Sequence, residues 1–381
     1  MISSAPHSAE KKSLFTRIVW VLNIFALIGL ALSYLAAYVS PNKIWWLALF
    51  GLGYEIMLLI NLFFVVYWLI ARSRRLWISL IFILLGIGKI FGIIQFNSQS
   101  KDEKILRDEG NIKVMSFNVR LFDLYNWFHN SETRDNIFNF LKSESPDIVC
   151  FQEFYSTDRK KPEFKNSDTL KYFLNSKYSH IEYTVSLRKT DHWGIATYSK
   201  YPIIKKQEVH FAKKGGNVFI ISDIKIGKDT IRVFNTHLES IHFGWNSYKF
   251  IENLNNDDIQ QDEFRGGITI LRQLKKAFVK RATQVEILHD SIEASPYPVM
   301  ICGDFNDTPS SYSYEILSDD LNDAYRVSGR GLGKTYNGPF PSFRIDYIFH
   351  DNKITSSGFR TIHGNLSDHF PVSCMVKVRK R

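Results

Sequence analysis

Residues 18–39, 44–70 and 76–96 are almost wholly apolar, and each run is long enough to cross a bilayer as a helix, which takes about 20 residues. Such runs leave the first hundred residues few ways to fold in water. They predict three transmembrane helices over 18–96, preceded by a polar cytoplasmic tail over 1–17 that holds Lys11, Lys12 and Arg17. A cleaved signal peptide would account for the first run alone. Two further runs, and the lack of a convincing small-x-small cleavage site, speak against it. Basic residues mark the cytoplasmic ends of membrane helices. The tail and the turn Arg72-Ser73-Arg74-Arg75 carry them, whereas the turn between the first two runs has only Lys43. Everything after residue 96 is then expected outside the cytoplasm, on a multi-pass protein of the cell (inner) membrane. Trp45, Trp46, Tyr67, Trp68 and Trp77 fall near run ends, where interfacial aromatics gather. Glu55 and Lys89 sit inside runs. Either they pair in the outer half of the bilayer, or Lys89 snorkels to the outer interface while Glu55 is protonated or meets water.

Net charge is +10, but residues 1–100 hold eight Lys/Arg against two acids, so six of those ten charges belong to the apolar part. The basic balance is therefore poor evidence for nucleic-acid binding. Cys150, Cys302 and Cys374 each lie in an apolar, strand-like context and are expected as buried thiols. No CxxC or HExxH spacing suggests a zinc site.

Residues 97–111 are polar and charged and read as a linker. Beyond them, the periodicity predicts strands near 112–119, 147–152, 194–199, 203–210, 217–226, 230–237, 298–303, 344–349 and 372–378. It predicts helices at 131–144, with Ser131 as a possible cap, at 267–293 and at 310–318. Many long strands with few helices suggest two sheets packed face to face, with helices outside. The segment 239–266 carries His242, Phe243, Trp245, Tyr248 and Phe250 and then a polar run. Its length points to a substrate- or membrane-facing loop, or to disorder.

The soluble half, 112–381, repeatedly ends an apolar strand on a polar side chain. In PVMICGDFNDTP, Pro298 to Pro309, the run Val299-Met300-Ile301-Cys302 gives way to Asp304, Asn306 and Asp307. Taken alone this is an ordinary Asp/Asn/Pro turn. Yet Met115-Ser116-Phe117 ends on Asn118, Ile148-Val149-Cys150-Phe151-Gln152 on Glu153, and Val233-Phe234-Asn235-Thr236 on His237. Asp346 lies within Arg344-Ile345-Asp346-Tyr347-Ile348-Phe349, and Ser367-Asp368-His369 precedes Pro371-Val372. A buried strand that delivers a polar group to a loop is a rigid base for an active site.

In that order and register, these segments resemble the endonuclease/exonuclease/phosphatase superfamily, which includes DNase I-like nucleases, abasic-site endonucleases, neutral sphingomyelinases and inositol phosphatases. The resemblance covers roughly residues 111–379 and implies a four-layer α/β sandwich, two packed β-sheets flanked by helices. It implies a Mg2+ (or Mn2+) ion held chiefly by Glu153, with Asp368 as a second or water-mediated ligand. Carboxylate oxygens suit those ions. His369 is implied as general base or as the group that stabilises the pentavalent phosphorus. Asp346, a charge that needs a partner in an apolar strand, is suited to fix its tautomer. Asn118, Asn306 and His237 would donate to the developing oxyanion. Asp304 would orient or activate water or assist the leaving group, and Asn306 would hold Asp304 and the phosphate. His192, before Gly194-Ile195-Ala196, is a weaker candidate for substrate contact. Some members carry an aspartate two residues after the asparagine. Here that position is Arg120, which argues for one metal rather than two.

The expected function is membrane-anchored phosphodiester hydrolysis, on nucleic acid or a phospholipid head group. Phe243 and Trp245 mildly favour the lipid; Arg159-Lys160-Lys161 and Lys205-Lys206 mildly favour nucleic acid. The alternative is a catalytically silent, membrane-tethered binding module. The intact polar set argues against it, and the runs lack the polar lining of a transporter.

Overall fold

The computed structural model describes residues 14–98, 101–159, 164–212, 216–241, 262–338 and 343–379. The first apolar run forms helix α1 (Leu14–Ala36), the one helix among the described residues that is long and apolar enough to cross a membrane. The second and third runs are not the continuous spanning helices expected. Gly53 divides the second into α2 (Leu47–Leu52) and α3 (Tyr54–Ile70). Gly86 divides the third into α4 (Leu76–Leu85) and α5 (Ile87–Ile90), and the run ends in a strand, β1 (Ile94–Phe96). The cause at Gly86 is local. An α-helix would bond its N–H to the Phe82 carbonyl. The Tyr34 hydroxyl donates to that carbonyl at 2.9 Å instead, and Gly86 N turns to the Ile83 oxygen at 3.1 Å. A Cβ at position 86 would fall 2.2 Å from the Tyr34 ring, so glycine is what admits the phenol.

Inside the bundle, Trp68 Nε1 donates to Asn23 Oδ1 at 2.7 Å, Asn23 Nδ2 to Ser79 Oγ at 2.9 Å, and Asn61 Nδ2 to the Ala26 carbonyl at 3.0 Å. Polar links of this kind join helices whose surroundings are otherwise apolar. Outside, Phe25, Leu59, Phe63, Ile70 and Leu85 stay exposed.

The stretch read as a linker carries α6 (Glu103–Asp108). Asp102 caps it by accepting from Lys104 N at 2.7 Å, Leu106 is buried, and Arg107 pairs with Asp147 at 2.9 Å, so it packs on the domain rather than spacing it. One six-stranded sheet contains β2 (Ile112–Asn118), β3 (Ile148–Thr157), β4 (Tyr178–Leu187), β5 (Asp191–Ser199), β13 (Ile354–Thr361) and β14 (Val372–Val378), in the order β13-β14-β2-β3-β5-β4. The other contains β6 (Ile203–His210), β7 (Val218–Ile226), β8 (Asp229–His237), β9 (Val299–Asp304), β10 (Asn322–Asp323) and β12 (Asp346–His350), in the order β10-β12-β9-β8-β7-β6. Among the described strands, β2–β3 and β8–β9 are the pairs that run parallel, at the heart of each sheet. A short β11 (Arg330–Leu332) pairs with β1 and stitches the bundle's exit to the domain.

Side chains alternate across each strand. Val114, Cys150, Met300, Cys302 and Cys374 therefore meet between the sheets, and the three cysteines are free and buried there, as expected. Phe117 and Phe151 turn outward onto α7 (Thr133–Glu144) and α8 (Asn166–Phe173). Phe234 and Ile301 turn onto α9 (Asp262–Glu293) and α10 (Tyr312–Ser318). A last helix, α11 (Ala324–Ser328), leads into β11. The four layers implied by the sequence are present. Ser131 does not cap α7, which begins two residues later behind Glu132. Phe243 and Trp245, in the 239–266 segment, lie outside the described residues.

Candidate active site

The polar groups converge where the two parallel strand pairs end. Gly303 lies opposite Thr236, and a Cβ there would fall 2.2 Å from the Thr236 carbonyl. This close approach sets His237 beside Asp304 in register, with His237 Nε2 3.5 Å from Asp304 Oδ2. In the facing sheet Asn118 ends β2, and its amide donates to Asp304 Oδ2 at 3.0 Å and to Glu153 Oε1 at 3.3 Å. Glu153 is aimed by a bulge in β3: Gln152 and Glu153 together oppose Ile195, and Glu153 has φ +47°. Across β9–β12, Asp346 pairs with Asp304, and His369 Nδ1 lies 3.0 Å from Asp346 Oδ2. The other ring nitrogen is 3.7 Å from Asp304 Oδ2.

Asp304, Asp346, Asn118 and His369 are buried, while the Glu153 side chain keeps about a third of its surface open at the mouth. Burial pushes the Asp346 carboxyl up to about 6, against the pull of His369. Burial also disfavours the charged imidazole of His369, but the Asp346 and Asp304 carboxylates outweigh it and raise His369 well above its ordinary value. The two carboxylates thus favour the charged form of the ring. His237 Nε2 is buried without a hydrogen-bond partner, between Glu153 and Asp304.

The structure brings together Asn118, Glu153, His237, Asp304, Asp346 and His369. Asp368 joins at the rim, where Arg120 Nε lies 3.3 Å from its Oδ2. Asn306 holds Asp304 through its backbone, N to Oδ1 at 2.8 Å, while its amide donates to the Leu238 carbonyl at 3.1 Å. His192 is not part of the cluster: it bonds Ser186 and Asp158 and stacks on Tyr183. Three supporting contacts were not foreseen in the sequence, although Ser367 and Arg120 were noted there for other reasons. Thr335 Oγ1 accepts from the N–H groups of Ile345 and Asp346, Ser367 Oγ donates to the Asn118 carbonyl, and Arg120 meets Asp368. Arg281, buried under the loop, anchors Asp307 at 3.1 Å and the Glu239 carbonyl at 3.0 Å.

Two sandwiched mixed sheets with such a cluster at one end define a phosphoesterase fold. The chain belongs to the endonuclease/exonuclease/phosphatase family, whose model matches residues 115–369. Residues 16–92 match a second model, described as a domain of unknown function (DUF8431). No curated protein matches. Among solved structures, an endonuclease/exonuclease/phosphatase from Beutenbergia cavernae DSM 12333 is similar, with TM-score 0.51 and 15% identity over 71% of this chain and 72% of that one. A family protein from Leptotrichia buccalis C-1013-b has TM-score 0.50 and 16% identity over 70% and 99%. At these identities the likeness concerns the fold.

Proposed function

We propose that this chain is a divalent-metal-dependent phosphoesterase, attached to a membrane by its N-terminal bundle, that hydrolyses phosphodiester bonds. The observation that carries the chemistry is the orphaned Nε2 of His237, held between Glu153 and Asp304 and aimed into the site. A buried donor without a partner is costly, and a substrate phosphoryl oxygen would relieve it.

The donor set fits a hard cation: carboxylate oxygens, with Glu153 open at the mouth. Asp304, Asp346 and His369 offer ligand atoms within 4.8 Å of one another, but His369 bonds Asp346 and lies against Asp304, and all three are buried. Glu153 is the better holder, aided by Asp368, whose charge Arg120 partly engages. A bound Mg2+ or Mn2+ would neutralise phosphoryl charge at this point. Protonated His369, kept in orientation by Asp346, donates to the phosphoryl oxygens together with His237, while Asn118, whose amide bonds both Asp304 and Glu153, holds those two carboxylates in place. Asp304, held through Oδ1 by Asn306 N, takes the proton of the attacking water. Water oxygen bonds to phosphorus, the ester P–O bond breaks, and the alcohol leaves with the proton that Asp304 took from the water.

Membrane attachment rests on the length and apolar composition of α1, and on the exposed apolar surface of α3 and α4. Arg75 stacks over Trp20 and Trp68 at one end of the bundle; the domain docks at the other. Basic ends of membrane helices tend to face the cytoplasm, which supports reading the catalytic domain as lying outside it. Purified full-length protein is assayed against bis-para-nitrophenyl phosphate with Mg2+, Mn2+ or chelator. Metal-dependent release of nitrophenol supports the reading, and turnover indifferent to metal would remove it.

A further inference from the structure

The bundle docks on the active-site end of the sandwich. β9 and β12 are antiparallel, so the exit of one and the entrance of the other share that end. Beyond β9, Pro309 and Ser310 lie against Gly92 and Gly51 of the bundle. A Cβ on those glycines would fall 2.7 Å from Pro309 Cβ and 3.0 Å from the Ser310 oxygen. Before β12, Arg344 Nε donates to the Gly92 carbonyl at 2.9 Å. Tyr325 donates its hydroxyl to the Ile93 carbonyl at 2.7 Å, and Lys89 pairs with Glu315. At no more than about 3.6 Å per residue, Asp304 lies within roughly 20 Å of Ser310, and Asp346 within about 7 Å of Arg344. The catalytic carboxylates are thus held in height above the bundle by these contacts.

The same end presents aromatic surface. Beyond Asn118, residues 120–123 all have positive φ, an arrangement that persists only where surrounding structure enforces it. This bend sets out Tyr125 and Trp127, 60% and 41% exposed, with ring centroids 5.0 Å apart and the Arg120 guanidinium 4.6 Å above Trp127. Amphipathic aromatics of this kind suit a head-group layer.

We infer that the substrate is a phospholipid of the bilayer that holds the bundle, its head-group phosphoester entering the site from the membrane surface. This rests on the phosphoesterase reading of the site and the membrane reading of the bundle. The head-group layer extends about 5–8 Å beyond the hydrocarbon, so lipid phosphates lie at the height where the bundle ends. A site fixed there meets them at high effective concentration, whereas a polymer in bulk water gains nothing from the docking.

The test uses the full chain, with Mg2+ or Mn2+, in vesicles of phosphatidylethanolamine, phosphatidylglycerol and sphingomyelin. Vesicle lipid is followed by phosphorus NMR, alongside bis-para-nitrophenyl phosphate and a single-stranded DNA oligonucleotide. Lipid should be consumed at least about tenfold faster than DNA at equal phosphodiester concentration. Tyr125→Ser should slow lipid hydrolysis about tenfold, the loss of one interfacial aromatic contact, and leave the soluble diester within about twofold. DNA cleaved as fast as lipid, or lipid untouched while the soluble diester is hydrolysed, overturns the lipid substrate and leaves the chemistry standing. Equal slowing of lipid and soluble diester by Tyr125→Ser overturns the membrane-facing role of the aromatics. No hydrolysis of any of the three overturns the phosphoesterase reading as well.

Discussion

Asp304 and Asp346 face each other as directly paired residues of β9 and β12, and His369 lies within 3.7 Å of both. Two buried acids so close would repel if both were charged with nothing between them. The imidazole resolves this by carrying positive charge, which makes it the element of the site least replaceable by a neutral side chain. His369→Ala should lower kcat by about 10² or more, with little change in metal affinity. Near-normal steady-state turnover in the variant would take His369 out of the mechanism.

Glu153 stands apart from that trio, open to solvent and bonded to Asn118. Glu153→Gln keeps the shape and removes the charge. The Mg2+ concentration for half-maximal activity should rise at least about tenfold, and stabilisation of the fold by Mg2+ in thermal melts should shrink. An unchanged metal titration would assign the ion elsewhere.

Arg344 and Asp323 form a buried pair at 2.6 Å, and Arg344 also holds the Gly92 carbonyl. Arg344→Met leaves Asp323 buried without its cation, a cost of about 3–5 kcal/mol. The denaturation midpoint of the domain should fall accordingly. The double variant with Asp323→Asn should recover part of the loss. If it recovers nothing, packing rather than charge is responsible.

His180 is buried against Ser222, and burial, with Lys206 adding to it, lowers its pKa to about 4. The unfolded chain protonates near 6.5, so between these values the unfolded state binds the extra proton. Stability is fully present above about pH 6.5 and declines as pH falls towards 4, by up to roughly 3 kcal/mol. Denaturation of His180→Gln across this window should show a flatter profile. Parallel profiles would assign the acid sensitivity to other groups.

Placement of the domain is tested by fusions after Lys101. A phosphatase reporter should be active there, and a fluorescent protein that folds only in the cytoplasm should stay dark. The reverse pattern would put the domain on the cytoplasmic side without touching the chemistry.

The strands that carry the site were legible because β2, β3, β8, β9 and β12 are buried over most of their length and each holds a short apolar run that ends or begins on a polar site residue. β4 and β13 escaped notice because they are sheet edges. Tyr178–Leu187 is half exposed, and Ile354–Thr361 holds two serines, a glycine and a register shift. The division at Gly86 depends on Tyr34, fifty-two residues away, so no local pattern could reveal it. Lys89 reaches Glu315 rather than Glu55 for the same reason. Polar residues that end strands announced the site, whereas Thr335, Ser367 and Arg120 serve it by contact alone, which periodicity does not record.

β14, the last described strand in chain order, lies between β13 and β2, the first strand of the sandwich. Asp368 and His369 arrive just ahead of it, on the segment that closes the sheet. A chain synthesised only as far as Leu366 therefore holds Asn118, Glu153, His237, Asp304 and Asp346 but lacks Asp368 and His369. The imidazole that links Asp304 to Asp346 is thus the last of these site groups to be made.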